Sequence, residues 1–235
     1  MNDIDQLKRA AALRAAEWIR DGMILGLGTG STVYFLLEEI AAQRSRGAWK
    51  SIAGVPTSEA TAAHAGRLGI PLTSLDERPD VDLTIDGADE VDGELRLVKG
   101  AGGALLREKI VANASEVVLI AVDESKRVKR LGTRSPLPVE VEPFGSHSHD
   151  VFFASIGAQP SYRTGPDGAL ARTDGGHYLV DLRFPDGIHD PEALELRINN
   201  RPGIIENGLF NSIADYVVTA SPTGVEIESR GDAHP

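Results

Sequence analysis

Met23-Ile24-Leu25-Gly26-Leu27-Gly28-Thr29-Gly30-Ser31-Thr32-Val33 is the stretch that decides the fold. Its first half is a short apolar run with the length and composition of a buried strand, and its second half is a glycine-rich turn. Val33 to Ala42 then reads as helix, so strand, glycine loop and helix follow one another without a spacer. Such a sequence belongs to α/β sheets, where a strand turns directly into a crossover helix. Glycines let the backbone turn tightly, and the amides that open a helix point outward at the positive end of its dipole. The hydroxyls of Thr29, Ser31 and Thr32 add donors, so a phosphate is a natural guest. A plain strand-to-helix turn capped by Ser31 is the alternative. The run is not a P-loop, because no Lys follows the last glycine at the required place. It also departs from the dinucleotide fingerprint, since Ser31 stands where the third glycine belongs.

Outward from this stretch the alternation continues. Ile4, Leu7, Ala11, Ala15 and Trp18 recur at helical spacing ahead of Gly22. Downstream, Ser51–Val55 reads as strand and Ser58–Leu68 as helix with Ser58 as its cap. Val81–Ile85 is strand, Leu95–Val98 strand, Gly102–Ala114 helix and Glu116–Val122 a β-branched strand. The fold class expected is α/β, a Rossmann-like layered sheet with helices on both faces. After about residue 130 the pattern changes. Ser135-Pro136-Leu137-Pro138 punctuates the chain, Val139–Val141 and Tyr178–Leu182 read as strands, and Val151–Ile156 as helix. Asp190-Pro191 opens a helix to about Asn200. Asp215–Ala220 and Val225–Ile227 are late strands that rejoin the first domain, and Ser229–Pro235 reads as a frayed end. The expected division is 1–131 with 207–235 as an α/β catalytic domain, and 132–206 as a smaller α+β domain serving oligomerisation.

The chain has 235 residues, 41% hydrophobic and 25% charged, enough apolar material for a real core. Lys and Arg number 24 against 35 Asp and Glu, a net charge of -11, which disfavours general nucleic-acid binding. Cysteine is absent, which excludes disulfides, cysteine nucleophiles and thiolate metal sites and suits a reducing compartment. The first 22 residues scatter charges and lack an apolar core of the signal-peptide kind, and no run approaches a membrane span. A cytoplasmic protein with no membrane partner is expected.

The segments able to do chemistry fall just after strands, where ligands bind in open α/β sheets. Asp86-Gly87-Ala88-Asp89-Glu90-Val91-Asp92 sets two carboxylates three apart. They are suited to binding a metal, working as acid and base, or holding sugar hydroxyls, unless the segment is a solvated acidic turn. Lys99-Gly100-Ala101-Gly102-Gly103 places a cation beside a flexible loop, fit for an anion or oxyanion. Glu108, between Arg107 and Lys109, lies about two turns into the expected helix, pointing into the same cleft or out to solvent. Asp123-Glu124-Ser125-Lys126 offers a second cation, or a surface lysine. His147-Ser148-His149-Asp150 suits either a metal or a solvated helix start; no third His-rich motif supports a metal. Phosphate cradle, aspartate pair, lysine and glutamate together fit proton transfer between adjacent carbons of a phosphosugar.

Taken in order and spacing, Gly28–Thr32, Asp86–Glu90, Lys99–Ala104, Arg107–Lys109 and Asp123–Lys126 resemble the type A ribose-5-phosphate isomerases. So do Leu137–Val141 and Pro202–Phe210, and the likeness runs over about residues 5 to 228. The resemblance implies an isomerase of the pentose phosphate pathway interconverting ribose 5-phosphate and ribulose 5-phosphate through a cis-enediol. It implies Glu108 as general base, Lys99 stabilising the enediolate, and Asp86 and Asp89 on sugar hydroxyls, Asp86 also suited to ring opening. Substrate would be held by Thr29, Gly30, Ser31, Thr32, Gly87, Ala88, Gly100, Ala101, Gly102 and Lys126, with Lys8 as a further candidate. It further implies a ferredoxin-like second domain, a homodimer or homotetramer, and no metal or organic cofactor. Leu106 and Ala101 depart from the family's usual polar residue and glycine, and Phe144–Asp150 differs from what it carries there. A non-catalytic sugar-phosphate sensor would have no use for Glu108 with Lys99. An acyl-CoA transferase-like enzyme would leave the aspartate pair unexplained.

Overall fold

The computed structural model describes residues 3–231. Its first elements are α1 (Asp3–Ala16), β1 (Ile24–Leu27), α2 (Ser31–Ser45), β2 (Ala53–Pro56), α3 (Glu59–Arg67) and β3 (Val81–Asp86). There follow β4 (Glu90–Val91), β5 (Leu97–Val98), α4 (Leu105–Asn113), β6 (Ser115–Asp123), β7 (Leu137–Val141), α5 (Asp150–Ser155) and β8 (Gln159–Tyr162). The last are β9 (Tyr178–Arg183), α6 (Pro191–Asn199), β10 (Ile204–Asn207), β11 (Leu209–Phe210), β12 (Tyr216–Ser221) and β13 (Gly224–Ser229). Of the expected frayed end, Ser229 closes β13, and 232–235 lie outside the described residues. The described residues form two compact units: those up to 88, 107–126 and those from 212 onward make the first, 89–106 and 127–211 the second.

The first unit is a six-stranded sheet in the order β13-β12-β6-β3-β1-β2, parallel except for the antiparallel edge strand β13. From β1 the chain steps to β2 on one side and then returns to β3 on the other. The order therefore reverses between β1 and β3, the crevice at which such sheets take ligands. Leu25, Leu27, Leu83, Ile85, Leu119 and Ala121 face α1 and α2 in one core. Ala11, Ala12, Ala15 and Ala16 give α1 a small buried face, so it lies close against β6 and β12. Each fully buried leucine contributes about 1.5–3 kcal/mol to that layer. On the opposite face Val111 of α4 joins Val55 and Val81. Gly26 makes that approach possible: a β-carbon there would sit 2.8 Å from Val111 Cγ1. Ser58 caps α3 as expected, accepting from Thr61 N at 3.1 Å.

The second unit holds an antiparallel sheet in the order β10-β7-β9-β8. With α5 between β7 and β8 and α6 between β9 and β10, it has the split-βαβ connectivity of ferredoxin-like folds. Its core is Leu137, Val139, Val141, Val180 and Leu182 with Phe153, Leu194 and Ile198 from the helices. Asp190 caps α6 on Ala193 N at 2.9 Å, with Pro191 next. A small sheet, β11-β5-β4, completes the unit.

Several local expectations change. Leu95 is not strand: at φ 57° it closes a turn in which the Asp92 carboxylate accepts from Glu94 N (2.9 Å) and Arg96 N (3.0 Å). α4 begins at Leu105 rather than Gly102, because Gly100 and Gly103 are held at φ 104° and 80°. Glu108 is therefore one turn into its helix, not two. Ser31 is the first residue of α2, and Gly30, at φ 120°, is the cap. The sequence divides the chain at 131 and 207, whereas 89–106, 127–131 and 207–211 pack with the second unit, drawn there by the pairing of β5 with β4 and β11.

Candidate active site

In the first unit the carboxyl ends of β1 and β3 are tied together. Gly28 N donates to Ile85 O at 3.1 Å, and the Asp86 Oδ1 accepts from Thr29 N at 3.0 Å and from Gly87 N at 2.7 Å. Asp86 is 2% exposed. Its carboxylate lies where a β-carbon on residue 28 would be, so Gly28 is there to make room for Asp86. Two backbone donors on one oxygen fix the orientation of the carboxylate at the crevice.

Thr29 also anchors a hydroxyl cluster. Its Oγ1 lies 2.8 Å from both Thr57 Oγ1 and Ser58 Oγ and 3.2 Å from Thr61 Oγ1. Thr61 in turn donates to Gly28 O at 2.8 Å, and Thr57 to Leu27 O at 3.1 Å. The glycine loop is thus pinned from β2 and α3. Past it, Tyr34 N makes the bond to Gly30 O at 3.1 Å, so the amides of Ser31, Thr32 and Val33 precede the first intrahelical bond. The turn Ser31-Thr32-Val33-Tyr34 contains no carboxylate to occupy them. Such an end of a 15-residue helix has the amides and dipole suited to an anion.

Glu108 is 4% exposed. It shares a helical face with Val111, which rests on Gly26, and lies about 4.5 Å further along the axis. Since α4 descends toward the start of β6, that step points to the carboxyl edge, at the level of Gly28 and Asp86. Arg107 turns outward to Glu59 of α3 at 2.8 Å. At the end of β6, Asp123 Oδ1 accepts from Ser125 N at 3.0 Å and from the Ser125 hydroxyl. This fixes a single turn, Glu124–Lys126, and leaves Lys126 half-buried beside the strand that ends in Asp86.

In the second unit, Asp89 N donates to Val98 O at 2.8 Å, and its Oδ2 accepts from Ala101 N at 2.8 Å. Lys99 is 3% exposed, its Nζ 5.4 Å from the centre of the Phe210 ring. Lys99 N donates to Gly208 O at 2.9 Å, an approach too close for any side chain at 208. Glu90 is wholly buried: Oε1 accepts from Arg134 N and Ser135 N, both at 2.6 Å, and Oε2 from Gly132 N at 2.5 Å. Glu90 and Asp92 therefore hold turns together, while Asp89 faces the Lys99 loop.

The family model described as ribose 5-phosphate isomerase A (phosphoriboisomerase A) matches residues 53–224. The chain belongs to the ribose 5-phosphate isomerase A family. Members are aldose–ketose isomerases that interconvert ribose 5-phosphate and ribulose 5-phosphate. The chain is 49% identical to the ribose-5-phosphate isomerase A of Roseiflexus castenholzii, over 94% of each chain. It is also 49% identical to that of Gloeobacter violaceus, over 96% of each. A D-ribose-5-phosphate isomerase structure in complex with phospho-erythronic acid superposes with TM-score 0.94 at 38% identity, covering 98% of this chain and all of that one. The Methanocaldococcus jannaschii enzyme superposes at 0.90 with 37% identity, covering 96% and 99%.

Against this isomerase frame, the first unit brings Thr29, Gly30, Ser31 and Thr32 together with Asp86 and Gly87 at the β1–β3 crevice. Ala88 follows directly, and Glu108 and Lys126 stand at the same sheet edge. The second unit brings Asp89 together with Lys99, Gly100, Ala101 and Gly102. Lys8 is half-buried on α1. His149 is buried in the second unit and accepts from Arg201 Nε at 2.8 Å; burial, then Arg201, lowers its pKa. Among the described residues no group of three His, Cys, Asp or Glu side chains is placed to hold a metal, and no helix is long and apolar enough to cross a membrane. Sequence reasoning missed Thr57 and Thr61, and read Ser58 only as a helix cap. The signal was there: Thr57-Ser58 follows the second strand as Thr29 follows the first, at the same edge of one sheet.

Proposed function

We propose that the chain isomerises ribose 5-phosphate by proton transfer on Glu108. With the sugar open, the Glu108 carboxylate takes the proton from C2, and negative charge moves to O1 of the resulting cis-enediolate. The same carboxyl returns the proton to C1, while the O2 proton passes to O1, giving the ketose. Lys99 stabilises the charge on oxygen, and Asp86 and Asp89 hold sugar hydroxyls, with Asp86 also assisting ring opening. The amides opening α2, the hydroxyls of Thr29, Ser31 and Thr32, and Lys126 take the phosphate end. Gly87, Ala88, Gly100, Ala101 and Gly102 supply close backbone approach.

The observation that carries this reading is Asp86, buried at the β1–β3 crevice and held by two amides, beside a carboxylate-free helix start and on the edge toward which Glu108 points. The related structure with phospho-erythronic acid holds a phosphorylated sugar acid, the same ligand class. We further propose a cytoplasmic homodimer or homotetramer assembled through the 132–206 region, acting without metal or organic cofactor and without a nucleic-acid partner. The test is turnover of ribose 5-phosphate by purified protein in excess EDTA, with detection of ribulose 5-phosphate. Robust turnover supports the reading. Tight binding without turnover would favour a sensor of the same sugar phosphate.

A further inference from the structure

Arg163 follows β8 in the second unit and holds the loop after Lys99. Its backbone is fixed on both sides, Arg163 N donating to Leu179 O and Arg163 O accepting from Ala171 N, each at 2.9 Å. Its guanidinium is forked onto Asp181 of β9, Nε to Oδ2 at 3.0 Å and Nη2 to Oδ1 at 2.5 Å. The remaining Nη1 donates to Ala101 O at 2.9 Å and to Gly100 O at 3.3 Å.

Gly100 O and Ala101 N belong to one peptide group. Arg163 grips that peptide by its carbonyl, and Asp89 Oδ2 accepts its N–H at 2.8 Å. A cation on the oxygen side and an anion on the amide side both favour the peptide's own dipole, so the three groups orient one another. The peptide can stand across this line because Gly100 is at φ 104°, in the left-handed region. Residue 100 has no room for a side chain either, since a β-carbon would lie 2.9 Å from Leu105 Cβ.

We propose that Arg163 is a positioning residue for the isomerisation, fixing Asp89 through the Gly100–Ala101 peptide; this rests on the role given to Asp89 above. Asp181 keeps the guanidinium aimed, and lysine cannot replace it, having no planar fork to span carboxylate and carbonyls at once.

The test is a double-mutant cycle on turnover of ribose 5-phosphate, with melting temperatures recorded for every variant. Arg163→Met is expected to lower kcat/KM by about 10- to 100-fold, the scale of a misplacement near 1 Å. Arg163→Lys should fail to restore it, and Asp181→Asn should give a smaller loss with the arginine retained. In an Asp89→Asn background, Arg163→Met should cost about twofold or less, because the group it positions has already been altered. Equal losses in both backgrounds, or full activity in Arg163→Lys, would overturn the proposal while leaving the reading of the site intact. An Asp89→Asn variant with unchanged kcat/KM would overturn both. Should Arg163→Met fail to fold, Asp181→Asn carries the same cycle with Asp89→Asn.

Discussion

Gly28→Ala should damage chemistry more than folding, and the structure says by how much. A β-carbon on residue 28 would stand 2.6 Å from Asp86 Cβ and closer still to the carboxyl group. Carbon atoms rest about 3.5–4.0 Å apart, so the shortfall is about 1 Å. Gly28 cannot retreat, because its N–H is bonded to Ile85 O at 3.1 Å within the sheet. Asp86 must therefore swing away from the amides of Thr29 and Gly87, which hold it at 3.0 and 2.7 Å. A displacement of about 1 Å in a reacting or positioning group costs about 100-fold in rate, close to 2.7 kcal/mol of barrier. Overpacking itself destabilises by about 1–3 kcal/mol. Gly54→Ala is the control: its β-carbon would meet Leu27 Cδ1 and Leu27 Cγ, the latter at 2.9 Å, in the core under α1 and α2 and away from both Asp86 and α4. Initial rates at saturating ribose 5-phosphate, normalised to folded protein by circular dichroism, separate the two effects. Both variants should lose comparable stability, and only Gly28→Ala should lose kcat. A folded Gly28→Ala enzyme with kcat within about threefold of the parent would refute the reasoning.

For Glu108→Gln, kcat should fall by about two to four orders of magnitude with KM little changed, since the amide binds but cannot take a proton; near-normal turnover would remove Glu108 as the base. Glu90→Gln should cost about 1.5–3 kcal/mol in urea unfolding, because an amide nitrogen turned toward Gly132 N or toward Arg134 N and Ser135 N cannot accept from them. A midpoint equal to the parent's would show that the three bonds carry no net stability. Burial and the neighbouring Arg201 lower the His149 pKa below 6.5, the value of the unfolded chain. Below about pH 6.5 the unfolded chain then binds the extra proton first, so this group's contribution is present above that pH and lost as pH falls toward the folded value. Urea midpoints at pH 7.5 and 5.5 should fall further for the parent than for His149→Gln; parallel falls would show that His149 titrates alike in both states.

The strongly periodic parts of the fold were legible because their cause is local. β1, β3 and β6 are apolar runs, α1 shows a four-residue spacing of small apolar residues, and Ser58 and Asp190 are caps whose partners lie three residues on. β5 was legible as the end of the Leu95–Val98 run, whereas β4 and β11 were not. Each of these two is two residues long and exists only by pairing with β5, Glu90 with Val98 and, from the far end of the chain, Leu209 with Val98. No window of sequence carries that information, which is why 89–106 reads as part of the first domain and packs in the second unit. α4 was placed three residues early for a related reason: two glycines at positive φ look like permissive helix neighbours and are the stop that delays it.

The same distinction separates the site residues. Thr29, Asp86, Asp89 and Lys99 could be singled out because polar groups after buried strands, or charges beside glycine loops, are unusual on their own, whereas Glu108, between Arg107 and Lys109 on a helix, stood out only through the family resemblance. The residues that set their geometry carry no such mark. Thr57 and Thr61 are ordinary threonines, and Arg163 is an arginine in a polar stretch. What makes them matter is a bond across 28 or 32 residues of chain to Thr29, or across 62 to Ala101. Gly28 lies between the two classes. Its sequence context announces a tight turn, yet its φ is not in the left-handed region, and what excludes a side chain is the Asp86 carboxylate, 58 positions on. A glycine read as flexibility is here a matter of volume: the loop is shaped by the acid that it must admit.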